Sequence, residues 1–176
     1  MKFLRFFIII FISLTTPIKA DLYKNLINQL EDGGKLIFIR HAYAPGNGDP
    51  AGFNLNDCST QRNLSDDGRK QAQRIGEFFT KNKIEIDKVL SSEWCRCKET
   101  ASIAFKNFET KSFLNSFFSY KFQNNKQSQM IDFKKFANFF RLYSSAFAKI
   151  SLSRAIINIK IIWISTTRSI GMPYKD

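Results

Sequence analysis

Two short apolar runs that stop on polar residues constrain this chain more than any other feature. The first, "KLIFIR" at 35–40, reads as a buried strand that delivers Arg40 and His41 at its end. The second, "DKVLSS" at 87–92, reads as another strand that ends at Ser92. Between them Ser65 is a good N-cap, with Asp66 and Asp67 in the favourable first turn and Ala72, Ile75, Gly76 and Phe79 on one helical face. A second helix is expected over about 93–105, with Cys97, Ala101, Ala104 and Phe105 as its inner stripe. This βαβα alternation predicts an α/β fold with helices packed on a parallel sheet. Ligands of such sheets bind outside the carboxyl ends of the strands. Arg40, His41 and the Ser91–Arg96 turn are therefore expected to converge on one edge, although they lie about fifty residues apart.

The flanks of this unit differ in texture. Lys2 and Arg5 precede an apolar run from Phe6 to Leu14, and Pro17 and Ala20 follow, the order of a secretory signal peptide. Removal of residues 1–20 leaves 21–176 as one domain, exported to a periplasmic or extracellular location. An uncleaved anchor is the alternative, and the N-terminal segment brings membrane contact only on that reading. Residues 21–31 place Leu22, Leu26, Ile27 and Leu30 at helical spacing, and Gly33-Gly34 ends that helix. Residues 42–60 read as a long loop rich in glycine and proline.

Residues 21–110 carry thirteen basic and thirteen acidic side chains, whereas 111–176 carry eleven basic and two acidic. The overall net charge of +12 thus belongs mainly to an atypical tail. Phe133, Phe136, Phe140, Tyr143 and Phe147 recur every three or four residues, as in a helix with an aromatic inner face. "AIINIKIIWIS" at 155–165 reads as a further buried strand. The basic tail offers a hold on anionic membranes or polyanions, but it is too irregular for a nucleic-acid module. Three cysteines without finger spacing make a poor zinc site, so no metal and no cofactor are expected.

His41 is the only histidine in the chain. A partly neutral imidazole can attack a phosphoryl group, and the charge on that group calls for positioned arginines. Arg40 is adjacent, Arg96 falls in the first turn of a helix whose N–H groups could add anion binding, and Arg62 approaches from the loop. A lone strand-end histidine can equally be structural.

"FIRHA", "NLSDDGRKQAQRIG" and "VLSSEWCRCKETASIA", taken in order and spacing, resemble the histidine phosphatase superfamily, related to phosphoglycerate mutases. The resemblance is strongest over 35–105. It implies a doubly wound, mostly parallel sheet with helices on both faces, here incomplete at the C-terminus. It also implies hydrolysis of a phosphomonoester or phosphohistidine, on a small phosphorylated substrate or a phosphoprotein, without metal. His41 would be the nucleophile, and Arg40, Arg62 and Arg96 would hold the phosphate. Ala42 stands in place of a more usual glycine.

The family's later strand ends in Thr-His, whereas "IIWISTTRSI" offers Ser165 and Thr166, so Thr166 is the replacement for the second histidine. A threonine can hydrogen-bond phosphate but brings no positive charge. The expectation is therefore an impaired phosphatase, with a non-catalytic phosphate-ester binder as the alternative. The tail is either a genuine variant or the product of a disrupted frame after 132–136. Glu93, Glu99 and Glu109 are the nearby carboxylates, and none stands out as the general acid. A disulfide between Cys58 and Cys95 would tie two phosphate-binding segments together. Cys97 is the other possible partner, but it reads better as a buried thiol.

Overall fold

A computed structural model describes residues 17–31, 34–116, 120–150 and 160–165. Four strands form one parallel sheet in the order β1-β4-β2-β3. They are β1 (Lys35–Arg40), β2 (Lys88–Ser91), β3 (Glu109–Thr110) and β4 (Lys160–Ser165). The helices are α1 (Pro17–Glu31), α2 (Asp66–Lys81), α3 (Cys95–Phe105) and α4 (Lys126–Ile150).

Alternation along β2 separates the core into two parts. Val89 packs with Phe79 of α2 and with Cys97 and Ala101 of α3. Leu90, its neighbour, belongs to a different cluster with Leu114, Leu36, Phe113, Phe133 and Phe136, the last two from α4. Successive strand residues face opposite sides of a sheet, so α2 and α3 cover one side of β2 and α4 the other. The first part of the expected aromatic face of α4 is thus core packing. Phe140, Tyr143 and Phe147 have side chains outside the described residues, as does the 155–159 portion of the expected last strand. Residues 160–165 occupy the sheet interior between β1 and β2.

Helix α2 begins as its sequence dictates. The Ser65 hydroxyl accepts from the Gly68 N–H at 3.1 Å, and Asp66 and Asp67 occupy the first turn. Ala72 and Phe79 are buried, and Gly76 lies directly against the backbone carbonyl of Ala104. Gly68 lies equally close to the Tyr43 carbonyl. The α2–α3 interface and the loop after His41 are both spaced by missing side chains.

Helix α1 forms over the expected residues and begins earlier, at Pro17. Leu22 is 72% exposed and Leu26 48%, so its apolar spacing does not define a buried stripe. Contact runs instead through Leu30, which joins the main core, and Tyr23, which meets Phe78 edge-on. Ile27 and Leu30 are half-buried while Leu22 and Leu26 stay exposed, so only part of the apolar face is covered. The long loop also holds more structure than its composition suggests. It contains a 3₁₀ turn, Cys58–Thr60, capped by Asp57, and a bridge between Asn54 and Asp57.

Alanine at an exposed helical glycine normally stabilises by roughly 1 kcal/mol. At Gly76 the added methyl group meets the Ala104 carbonyl, so the sign should reverse. Gly76→Ala is expected to destabilise the domain by about 1–3 kcal/mol in urea unfolding. An unchanged or raised midpoint would show that α2 and α3 do not pack in this way.

Candidate active site

The carboxyl ends of the strands converge as the topology requires. Register places Arg40 of β1 beside Ser165 of β4, and Ser91 of β2 beside Ile164. The chain therefore leaves β4 between His41 and the Ser91–Ser92 turn. Thr166 itself lies outside the described residues.

His41 is 7% exposed. Its Nδ1 lies 2.7 Å from the carbonyl oxygen of Ala42. A carbonyl can only accept, so the assigned tautomer carries its proton on Nδ1 and leaves the lone pair on Nε2. That Nε2 is buried and has no partner among the described residues. Burial lowers the imidazole pKa to about 4, opposed by the Ala42 bond and assisted by the charges of Arg96, Arg40 and Arg62. His41 is thus a neutral base with an uncommitted nitrogen at neutral pH.

The backbone after His41 is held from α2 and α3. The Ala42 N–H donates to Thr100 Oγ1 at 3.0 Å, and that hydroxyl donates to the Arg96 carbonyl at 2.7 Å. The Tyr43 N–H donates to Gln71 Oε1 at 2.8 Å. Arg40, by contrast, is exposed at the rim.

Arg96 is only 3% exposed. Its Nη1 donates to Asp49 Oδ1 at 2.6 Å and its Nη2 to Asp49 Oδ2 at 3.1 Å. Nη1 also reaches the Arg62 carbonyl at 3.3 Å, while Nε has no partner among the described residues. Asp49 further accepts from Trp94 Nε1 at 3.0 Å and from the Arg62 N–H at 3.1 Å. Burial raises the Asp49 pKa, but the Arg96 guanidinium and the other donors outweigh it and hold the carboxyl below its ordinary value. Arg62 donates through Nη1 to the carbonyls of Ala44, at 2.5 Å, and Gly46, at 3.1 Å. Gly46 supplies its carbonyl from the left-handed region, at φ +83°. The buried Nε of Arg62 likewise has no partner among the described residues. Both arginines thus combine committed nitrogens with donors that no described residue takes up, Nε among them.

The structure joins Cys58 to Cys95 by a disulfide across 37 residues. It links the loop that carries Asp49 and Arg62 to the start of α3, which carries Arg96. Cys97 is a free, buried thiol, with burial pushing its pKa up to about 11. The start of α3 is not the open N–H cradle suggested by the sequence. The Cys95 N–H donates to Gln61 Oε1 at 3.0 Å, and the Cys97 and Lys98 N–H groups turn back to the Trp94 carbonyl.

The three carboxylates have different surroundings. Glu99 pairs with Arg69 at 2.7 Å, and Glu109 with Lys88 and Lys111 at 2.9 and 3.1 Å. Glu93, just beyond β2, is bound reciprocally by Asn115, whose amide donates to Glu93 Oε2 and accepts from the Glu93 N–H. Sequence reasoning missed Asp49. Its signal was present in retrospect: several arginines directed to one edge need a buried counter-charge, and "GNGDP" supplies the carboxylate of the loop between β1 and α2. Among the described residues, no cluster of three or more His, Cys, Asp or Glu side chains is arranged to hold a metal ion.

Residues 36–115 match the sequence model of the histidine phosphatase superfamily, branch 1. The segment takes in β1 except Lys35, together with α2, β2, α3 and β3, and includes Arg40, His41, Asp49, Arg62 and Arg96. Among solved structures, the chain is similar to the protein histidine phosphatase SixA complexed with tungstate, at 14% identity and TM-score 0.45. That alignment covers 76% of this chain and 69% of the other. It is also similar to the α-ribazole phosphatase of Shigella flexneri, at 18% identity and TM-score 0.40, covering 74% and 72%. The search of curated proteins returned no match.

The low pKa of His41 has a consequence for stability. Between the unfolded value near 6.5 and the folded value near 4, the unfolded chain binds the extra proton. The stabilisation is therefore present above pH 6.5 and is lost as pH falls to 4. The full difference corresponds to about 3 kcal/mol. The unfolding free energy of His41→Gln should fall less steeply between pH 7 and pH 4 than that of the parent protein. Parallel curves would show that His41 is not held neutral.

Proposed function

We propose that this protein is a member of the histidine phosphatase superfamily that hydrolyses a phosphomonoester or phosphohistidine through a phosphohistidine intermediate on His41. The observation that carries this reading is the buried, unpartnered Nε2 of a neutral imidazole whose surrounding charges are those of Arg40, Arg62 and Arg96. The substrate is a small phosphorylated molecule or a phosphoprotein, without nucleic acid. The proposed fold is the family's doubly wound domain, and the chemistry calls on no metal or cofactor.

In the first step the Nε2 lone pair forms a bond to phosphorus while the bond to the leaving oxygen or nitrogen breaks. The leaving group takes a proton from solvent or from the site. In the second step water attacks the phosphoryl group, the nitrogen–phosphorus bond breaks, and inorganic phosphate leaves with His41 neutral again. The unpartnered Nε atoms of Arg62 and Arg96 supply donors where phosphoryl oxygens gather charge. With one histidine in the chain, no second imidazole assists. Thr166, next after the strand that ends beside Arg40, offers a hydroxyl in its place. The absence of a positioned acid–base or charge-stabilising group lowers turnover by roughly 10²–10⁴.

Export is part of the proposal. The first twenty residues have the order of a secretory signal, and a disulfide beside the site suits an oxidising compartment. The tail is taken as a genuine variant, because residues 160–165, beyond the point where a disrupted frame would begin, complete the sheet between β1 and β2.

The test is single-turnover incubation with a labelled phosphomonoester and with a phosphohistidine peptide, followed by alkaline quenching to preserve a phosphohistidine. The parent protein should carry label and release phosphate slowly, and His41→Gln should do neither. Ligand binding without label on the parent would favour the non-catalytic binder, which the solitary histidine also suits.

A further inference from the structure

The donor geometry of Arg96 leads to a role for Asp49, and this role rests on the phosphate-site reading above. A guanidinium has five N–H bonds fixed in one plane. In Arg96 one hydrogen of Nη1 goes to Asp49 Oδ1 and the other to the Arg62 carbonyl. One hydrogen of Nη2 goes to Asp49 Oδ2. The remaining donors are Nε–H, buried without a partner, and the second hydrogen of Nη2. These two lie parallel within that plane, along the same edge of the group. They form the side-on fork that matches two oxygens of one phosphoryl group.

We propose that Asp49 is a positioning residue that clamps Arg96 end-on, so that its side-on fork is presented to the phosphoryl group. Asp49 is itself fixed from two further directions, by the Trp94 indole N–H and the Arg62 backbone N–H. Its side chain is 9% exposed and that of Arg96 4%, so solvent contributes little to the orientation of either. Trp94 also lies beside the cation, with its ring centroid 6.0 Å from the guanidinium carbon. The aspartate therefore does more than neutralise a buried charge. It selects which edge of the arginine remains for a ligand.

The probe is inorganic phosphate, titrated calorimetrically into the full chain with its disulfide intact. Asp49→Asn is expected to weaken phosphate binding about tenfold or more, because the end-on clamp is lost and the fork rotates away. In an Arg96→Gln background the same change should have little further effect, since Asp49 acts through Arg96. An Asp49 that served only stability would lower the thermal midpoint and leave phosphate affinity unchanged.

Asp49→Glu keeps the charge, and with it compensation of Arg96, but displaces the carboxylate by one methylene. It should bind phosphate several-fold more weakly than the parent, and it carries the test if Asp49→Asn does not fold. Parent-like affinity in Asp49→Glu overturns the inference, as does tighter binding in Asp49→Asn, which would make Asp49 a competitor of the ligand. Equal losses from Asp49→Asn with and without Arg96 also overturn it. If the parent protein itself binds no phosphate, the phosphate-site reading fails, and this inference with it.

Discussion

The buried pairing of Arg96 with Asp49 is the interaction on which the rest of the site depends. A guanidinium 3% exposed is costly unless its charge and its hydrogens are met. Removing one partner of such a pair typically costs about 3–5 kcal/mol. Asp49 belongs to the loop after β1 and Arg96 to the first turn of α3, so their pairing fixes the loop's path over the sheet edge. Two further ties join the same segments: the Cys58–Cys95 disulfide and the bond from the Cys95 N–H to Gln61. Three unrelated interactions thus hold one long loop against one helix. The loop can carry Arg62 with its guanidinium partly satisfied and its Nε still free.

The same electrostatics serves the histidine. Burial disfavours the imidazolium, and the arginines that would receive a phosphoryl group disfavour it further. The Ala42 carbonyl fixes the proton on Nδ1. The charges that would attract an anion therefore also keep Nε2 of His41 unprotonated. The carbonyl that sets the tautomer belongs to a residue held by Thr100 of α3, and Thr100 in turn bonds to the backbone of Arg96. His41 and Arg96 are thereby referred to one helix, the support that a precisely positioned constellation requires.

Much of the fold was legible because strand and helix signals here are local. β1 occupies the residues expected of it, and α2 starts at its Ser65 cap. The convergence of Arg40, His41 and Arg96 on one edge follows from parallel topology alone. Other features were not local. Leu22 and Leu26 have the spacing of a buried stripe, but spacing does not say whether a neighbour will cover it. The start of α3 looked open to an anion, yet Gln61, 34 residues earlier, closes its first N–H.

The sequence by itself determined the alternation of strands and helices, the placement of His41 at a strand end, the absence of a second histidine, and the arginines available to meet an anion. These follow from periodicity, capping and composition, which act over a few residues. Tertiary structure alone decided that Asp49 faces Arg96, that Nε2 rather than Nδ1 is the uncommitted nitrogen of His41, and which donors of each arginine remain free. Those outcomes depend on burial and on directional hydrogen bonds between segments tens of residues apart, which no local pattern encodes.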